Sequence, residues 1–159
     1  MTSEPVADGQ AVPVITALPG RVAEAELAGR ERDRLVLTAE ERRWGRRRVR
    51  TLARRELVLA LPTGSLLTPG AMLHIDADWY VVIEAAEEPV IAVTPSSRDE
   101  AIRVAFEVGN RHFTLAIDGT RLLVPDDTAM KILLTRLGVS WVRTRAVFAP
   151  LGAGHRHEG

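Results

Sequence analysis

The hydrophobic period of this chain changes once, at Glu87-Glu88-Pro89, and that change limits the folds open to it. Before the acidic pair, apolar residues recur in short alternating runs that end in turn residues. Leu35-Val36-Leu37 is one run, residues 56–61 alternate until Pro62-Thr63-Gly64 turns them, and residues 72–76 and 79–84 are the next two. Pro69-Gly70 and Asp76-Ala77-Asp78 supply the turn signals between runs. Period two at this spacing predicts a small β-barrel or sandwich-like domain over residues 13–86.

After Pro89 the pattern mixes periods. Residues 90–93 read as a strand, and Ser96 or Ser97 caps a helix with Asp99 and Glu100 in its first turn. Ala101, Ile102, Ala105, Phe106 and Val108 keep helical spacing as far as Gly109. Residues 113–117 and 121–124 flank Asp118-Gly119, a hairpin signal. Asp126 or Asp127 caps a second helix with an apolar stripe of Met130, Leu133, Leu134 and Leu137, which Gly138 ends. A last strand over residues 139–148 completes β-α-β-β-α-β, the ferredoxin-like order, over residues 87–150. The expected fold is therefore α+β: a disordered leader over residues 1–12, a β domain, a ferredoxin-like domain joined to it near residues 85–89, and a flexible histidine-containing tail over residues 151–159.

Composition removes several function classes. Lys+Arg and Asp+Glu balance at 21 each in 159 residues, so no global field draws the chain to nucleic acid or a membrane. With no cysteine there is no disulfide, thiolate metal site or thiol nucleophile, which suits a reducing cytoplasm. Residues 1–10 are polar and acidic without an apolar core, so no signal peptide is expected, and apolar runs such as Val81-Val82-Ile83 are too short to span a bilayer. Eight arginines between Arg42 and Arg55 surround Trp44, a pattern with which nucleic-acid surfaces often begin. Val49 and Leu52, interleaved among them, read as inward strand positions, so the block is a solvated face or a protein-docking patch. There is no phosphate loop, Ser-His-Asp arrangement or HExxH helix. The chain is expected not to be an enzyme.

The four histidines point elsewhere. His74 lies in a strand and reads as structural. His112 follows Gly109-Asn110-Arg111, and His155 and His157 sit in the terminal Gly154–Gly159 stretch. Neutral imidazole suits zinc, copper and nickel, and a site without thiolate binds reversibly, which favours carrying a metal over catalysis with one. Taken alone, His112 reads as a helix-end residue and the tail pair as an untidy end.

A set of motifs in order changes that balance. They are Leu37-Thr38-Ala39-Glu40-Glu41-Arg42 with Gly45-Arg46, Leu59-Ala60-Leu61-Pro62-Thr63-Gly64, Gly109-Asn110-Arg111-His112, Asp127, Leu137-Gly138, Phe148-Ala149-Pro150 and a histidine-bearing terminus. On this plan the chain resembles the UreE family of urease accessory nickel metallochaperones. The resemblance implies a homodimer paired through its C-terminal domains, and a β domain that engages protein partners. It implies one nickel ion as cargo, held by His112 across the two-fold axis with His157 and His155 assisting; zinc or copper is expected to compete, since copper outranks nickel in the usual stability order. It also implies delivery to the urease apoprotein together with an accessory GTPase. Where many relatives carry a histidine two residues before the glycine of the histidine block, this chain has Glu107, and where some carry histidines at the second helix it has Asp126, Asp127 and Thr128. The alternative is an interaction module that docks through the arginine-rich β domain and binds metal incidentally.

Overall fold

A computed structural model describes residues 11–151. Residues 1–10 of the leader expected over residues 1–12, and both tail histidines, lie outside the described residues. Among the described residues, 11–36 and 42–84 form one compact unit, and 37–41 with 85–151 form a second.

The first unit contains β1 (Val14–Ile15), α1 (Glu24–Leu27), β2 (Glu31–Leu37), β3 (Arg46–Arg50), β4 (Glu56–Ala60), β5 (Met72–Ile75) and β6 (Trp79–Ala85). The strands make two three-stranded sheets, in orders β1-β4-β3 and β2-β6-β5. Neither is closed, so the barrel expectation gives way to two open sheets. Alternation sets the inward faces: Leu35 and Leu37 on β2, Leu57 and Leu59 on β4, and Leu73 on β5 are buried. Val49 is buried as its spacing implies, but Leu52 is 56% exposed. It has left the strand for the turn between β3 and β4, where the alternation no longer applies.

Asp33 shares the inward phase of Leu35 and Leu37, and it is 3% exposed. A buried carboxylate needs partners. Asp33 accepts from the Thr51 hydroxyl, from the amides of Arg34 (2.7 Å) and Ala53 (3.1 Å), and from the Arg55 guanidinium (3.0 Å). Burial pushes its carboxyl up, but these donors outweigh burial and hold it below the ordinary aspartate range. One side chain thus fixes the turn that follows β3.

The second unit contains β7 (Glu87–Thr94), α2 (Arg98–Asn110), β8 (Ala116–Asp118), β9 (Arg121–Pro125), α3 (Thr128–Leu137) and β10 (Ser140–Val147). Only Ala86 separates β6 from β7 where a linker was expected. The sheet is antiparallel throughout, in order β10-β7-β9-β8. Its central strands are apolar on both faces. Ile91, Val93, Leu122 and Val124 pack with Val104, Val108, Met130, Leu133 and Leu134 of the helices. Val90, Ala92 and Leu123 pack on the other face with Phe148, against Ala39. Leu37–Glu41 belongs here because the Ala86 amide donates to the Leu37 carbonyl (2.8 Å) and the Ala39 amide to the Glu88 carboxylate (2.9 Å).

Two sequence expectations shift in this unit. The strand expected over residues 113–117 is only Ala116–Asp118, because Phe113 is spent in ending α2 and Leu115 in holding Leu151. On α2 the expected apolar stripe divides: Val108 faces the core together with Val104, which the stripe did not include, while Ile102 and Phe106 are 56% and 67% exposed. Among the described residues no helix is long and apolar enough to cross a membrane.

Candidate metal centre at the end of α2

Ser97 begins α2 by accepting from the Glu100 amide (3.1 Å), and the Glu100 carboxylate holds the Ser96 hydroxyl (2.8 Å). The other end runs past Gly109, where the sequence suggested a stop, to Asn110. There the His112 amide donates to the Gly109 carbonyl (2.9 Å) and the Phe113 amide to the Val108 carbonyl (3.2 Å). These paired bonds are a Schellman turn, whose left-handed residue is usually glycine. Here it is His112, with φ 62°. A side chain in that region costs roughly 1–2 kcal/mol because Cβ crowds the following carbonyl. Phe113, half-buried against the core of the unit, holds the turn in place.

The result is an exposed imidazole on a fixed backbone. Arg111 beside it is tied back to Glu107 by an ion pair of 2.7 Å. Ile102, Ala105, Phe106 and Gly109 are exposed along the helix leading to it, at spacings of three and four that put them on one face. Open space surrounds Gly109.

The neighbouring acids are engaged. Asp127 caps α3 by accepting from the Ala129 amide (2.8 Å). Asp126 bridges Arg143 (2.9 Å) and Lys131 (3.4 Å), and Arg143 above all holds its carboxyl below the usual range. With Glu107 on Arg111, all three of these carboxylates already have partners. Among the described residues no three histidine, cysteine or carboxylate side chains group closely enough to hold a metal ion. Among the described residues, then, the candidate His112 belongs to no such group.

His74 has a different setting. Its Nε2 lies 3.3 Å from an Asp76 oxygen and its ring 5.2 Å from the Trp79 ring, whose face also carries the Arg55 guanidinium at 4.7 Å. A cleft of about 270 Å³ beside it is lined by Val14, Ile15, Leu73 and Ile75 and offers no carboxylate or second imidazole. This histidine is a packing element. His155 and His157 lie outside the described residues, but Leu151, four residues before His155, donates its amide to the Leu115 carbonyl at 2.7 Å.

Sequence reasoning singled out His112 but missed its backbone state. The signal was available: the glycine of Gly-Asn-Arg-His stands three residues too early to take the left-handed position. Asp33 was missed too, although its phase with Leu35 and Leu37 marks it as inward.

The described structure is an α+β chain of two units with an exposed imidazole held at a helix end. Comparisons with known proteins give its family. The UreE urease accessory protein N-terminal domain matches residues 14–86, and the corresponding C-terminal domain matches residues 88–159. The urease accessory protein UreE of Deinococcus radiodurans is 41% identical over 112 residues, covering 70% of this chain and 72% of that protein. That of Ralstonia nicotianae is 33% identical over 88% of this chain and 68% of its own length, and that of Synechococcus sp. strain JA-3-3Ab 38% over 77% and 83%. The chain belongs to the UreE family of urease accessory proteins.

Proposed function

We propose that the protein is a cytoplasmic nickel metallochaperone that binds Ni(II) between two copies of the chain and delivers it to apo-urease during urease maturation, acting with the accessory GTPase. The observation that carries the reading is His112 at a left-handed helix end, where glycine would be less strained. Backbone strain retained at an exposed position favours a side chain kept for its chemistry. The relatives' shared designation as urease accessory proteins supports the destination of the metal.

A two-fold axis turns one imidazole into two facing ligands. The exposed face of Ile102, Ala105, Phe106 and Gly109 supports a second copy as its cover, since a bare apolar stripe ending at His112 would bring the two imidazoles together at its end. The strand order β10-β7-β9-β8 supports a ferredoxin-like reading of this unit, with both helices on one side of the sheet. The tail fits the same site. Leu151 is held beside Leu115, three residues from His112, and six residues to His157 can span up to about 20 Å. His157 therefore reaches the centre more freely than His155.

Two to three imidazoles completed by water bind around the micromolar level, about 8 kcal/mol, which allows release to a partner. Zinc and copper compete, so selectivity comes from supply and partner rather than from the ligands. No catalytic step is assigned to the chain. Calorimetric titration of the metal-free protein with nickel, alongside light scattering, tests the reading. One ion per dimer is expected. Absence of saturable binding would favour the interaction module that docks through the arginine-rich β domain.

A further inference from the structure

The turn and strand that carry the arginines form a surface that the metal site does not use. Between Arg42 and Arg55 there are eight arginines and no acid. β3 is the end strand of its sheet, paired to β4 along one side only. Arg46, Arg48 and Arg50 point from its exposed face at every second position. Arg48 and Arg50 share a single carboxylate, Glu56, at 3.2 and 2.9 Å. Arg46 and Arg54 have no ion-pair partner among the described residues.

The turn that follows the strand is held by its own hydrogen bonds. Arg54 has φ 68°, a second side chain in the left-handed region, and Asp33 holds the turn beneath it through Thr51, Ala53 and Arg55. Trp44, 47% exposed at the head of the strand, lies 4.9 Å from the Arg47 guanidinium. An open strand edge is a template for another strand, and proteins often blunt it with one or two charges. Here the charges are of one sign and in register along one strand. That is the complement of an extended segment with acids at alternate positions, roughly 6.5–7 Å apart. Tryptophan and arginine together also make a common anchor at interfaces.

We infer that the free edge of β3 is a docking site for an extended acidic segment of a partner protein, which adds as a strand and sets alternate carboxylates against Arg46, Arg48 and Arg50. Backbone pairing supplies the affinity and the arginines the register. The inference is independent of the nickel reading, since the two sites lie in different units.

The test uses the full chain and a fluorescein-labelled peptide, Thr-Glu-Val-Glu-Val-Glu-Thr, followed by anisotropy. Saturable binding is expected, with at least tenfold loss when glutamine replaces each glutamate of the peptide. A similar loss is expected when alternate peptide amides are N-methylated, which removes strand pairing and keeps charge. The triple variant Arg46→Gln/Arg48→Gln/Arg50→Gln should lose at least tenfold while its circular dichroism spectrum and urea midpoint stay at the parent's, which shows it folded. The triple variant with glutamate at those positions should instead bind the lysine counterpart of the peptide. Absence of binding, equal binding of the N-methylated peptide, or tighter binding of a single-stranded DNA octamer would overturn the inference.

Discussion

His112 and Gly138 end the two helices of the second unit in the same left-handed conformation, φ 62° after α2 and φ 72° after α3. Gly138 adopts it without a Cβ to crowd. His112 has one, and that difference between two equivalent helix ends is what marks His112 as the candidate site.

Replacing His112 by glycine should therefore stabilise the fold while removing metal binding. A gain of about 1 kcal/mol is expected, or roughly 2–4 °C in Tm for a chain of this length. His112→Ala keeps the strain and should lose nickel without the gain. Calorimetric unfolding beside nickel titration reads both. A glycine variant that binds nickel as the parent does would remove the assignment.

Phe106→Asp places a charge on the exposed face of α2, outside the packed core. If that face is covered by a second copy, light scattering should report a monomer. Nickel affinity should fall by about tenfold or more, because His112 then lacks the facing imidazole of a second copy. A stable dimer in this variant would move the interface elsewhere.

Truncation after Ala153 removes His155 and His157 but leaves Leu151 and its bond to Leu115. The tail raises the effective concentration of extra ligands at the cost of its own ordering. Nickel binding should weaken several-fold and keep one central site. Complete loss would make the tail the principal ligand.

Acidity distinguishes imidazole from carboxylate ligation. An imidazole binds metal only through a nitrogen free of its proton, and the ordinary group titrates near about 6.5. From pH 7.5 to pH 5.5 a site needing two imidazoles should lose on the order of a hundredfold in affinity. Asp126, held below the usual range by Arg143 and Lys131, stays ionised across that interval, and Asp126→Asn should leave nickel affinity unchanged. Undiminished binding at the lower pH would send the search to the acids.

Asp33 predicts the acid response of the first unit. Its folded-state carboxyl lies below the unfolded value of about 3.9, so its contribution is present above that value and is lost as pH falls through the folded one. Asp33→Asn should cost about 2–3 kcal/mol near neutrality, since it leaves Arg55 and the turn amides short of their acceptor. Urea midpoints of parent and variant should differ widely at pH 7 and pH 5 and converge toward pH 2.5. A gap that does not narrow at all as pH falls below about 3.9 would mean the side chain acts by shape rather than charge.

Much of this architecture is determined along the chain. Period two in Leu57, Leu59 and Leu73, and period 3.6 in Met130, Leu133, Leu134 and Leu137, place strands and helix because burial on one side repeats with the backbone's own geometry. Ser97, Asp127 and Gly138 cap as their chemistry requires. The candidate ligand His112 was legible from its motif. Tertiary structure alone decided the rest. Leu37–Glu41 joins the second unit because its hydrogen-bond partners, Ala86 and Glu88, lie some fifty residues on. Ile102 and Phe106 share helical spacing with buried residues, but the sheet covers only one side of α2, and period cannot say how wide the covered side is. His112 takes the left-handed position because Phe113 is anchored in the core and fixes where the helix must end, a constraint set by packing and not by the order of residues.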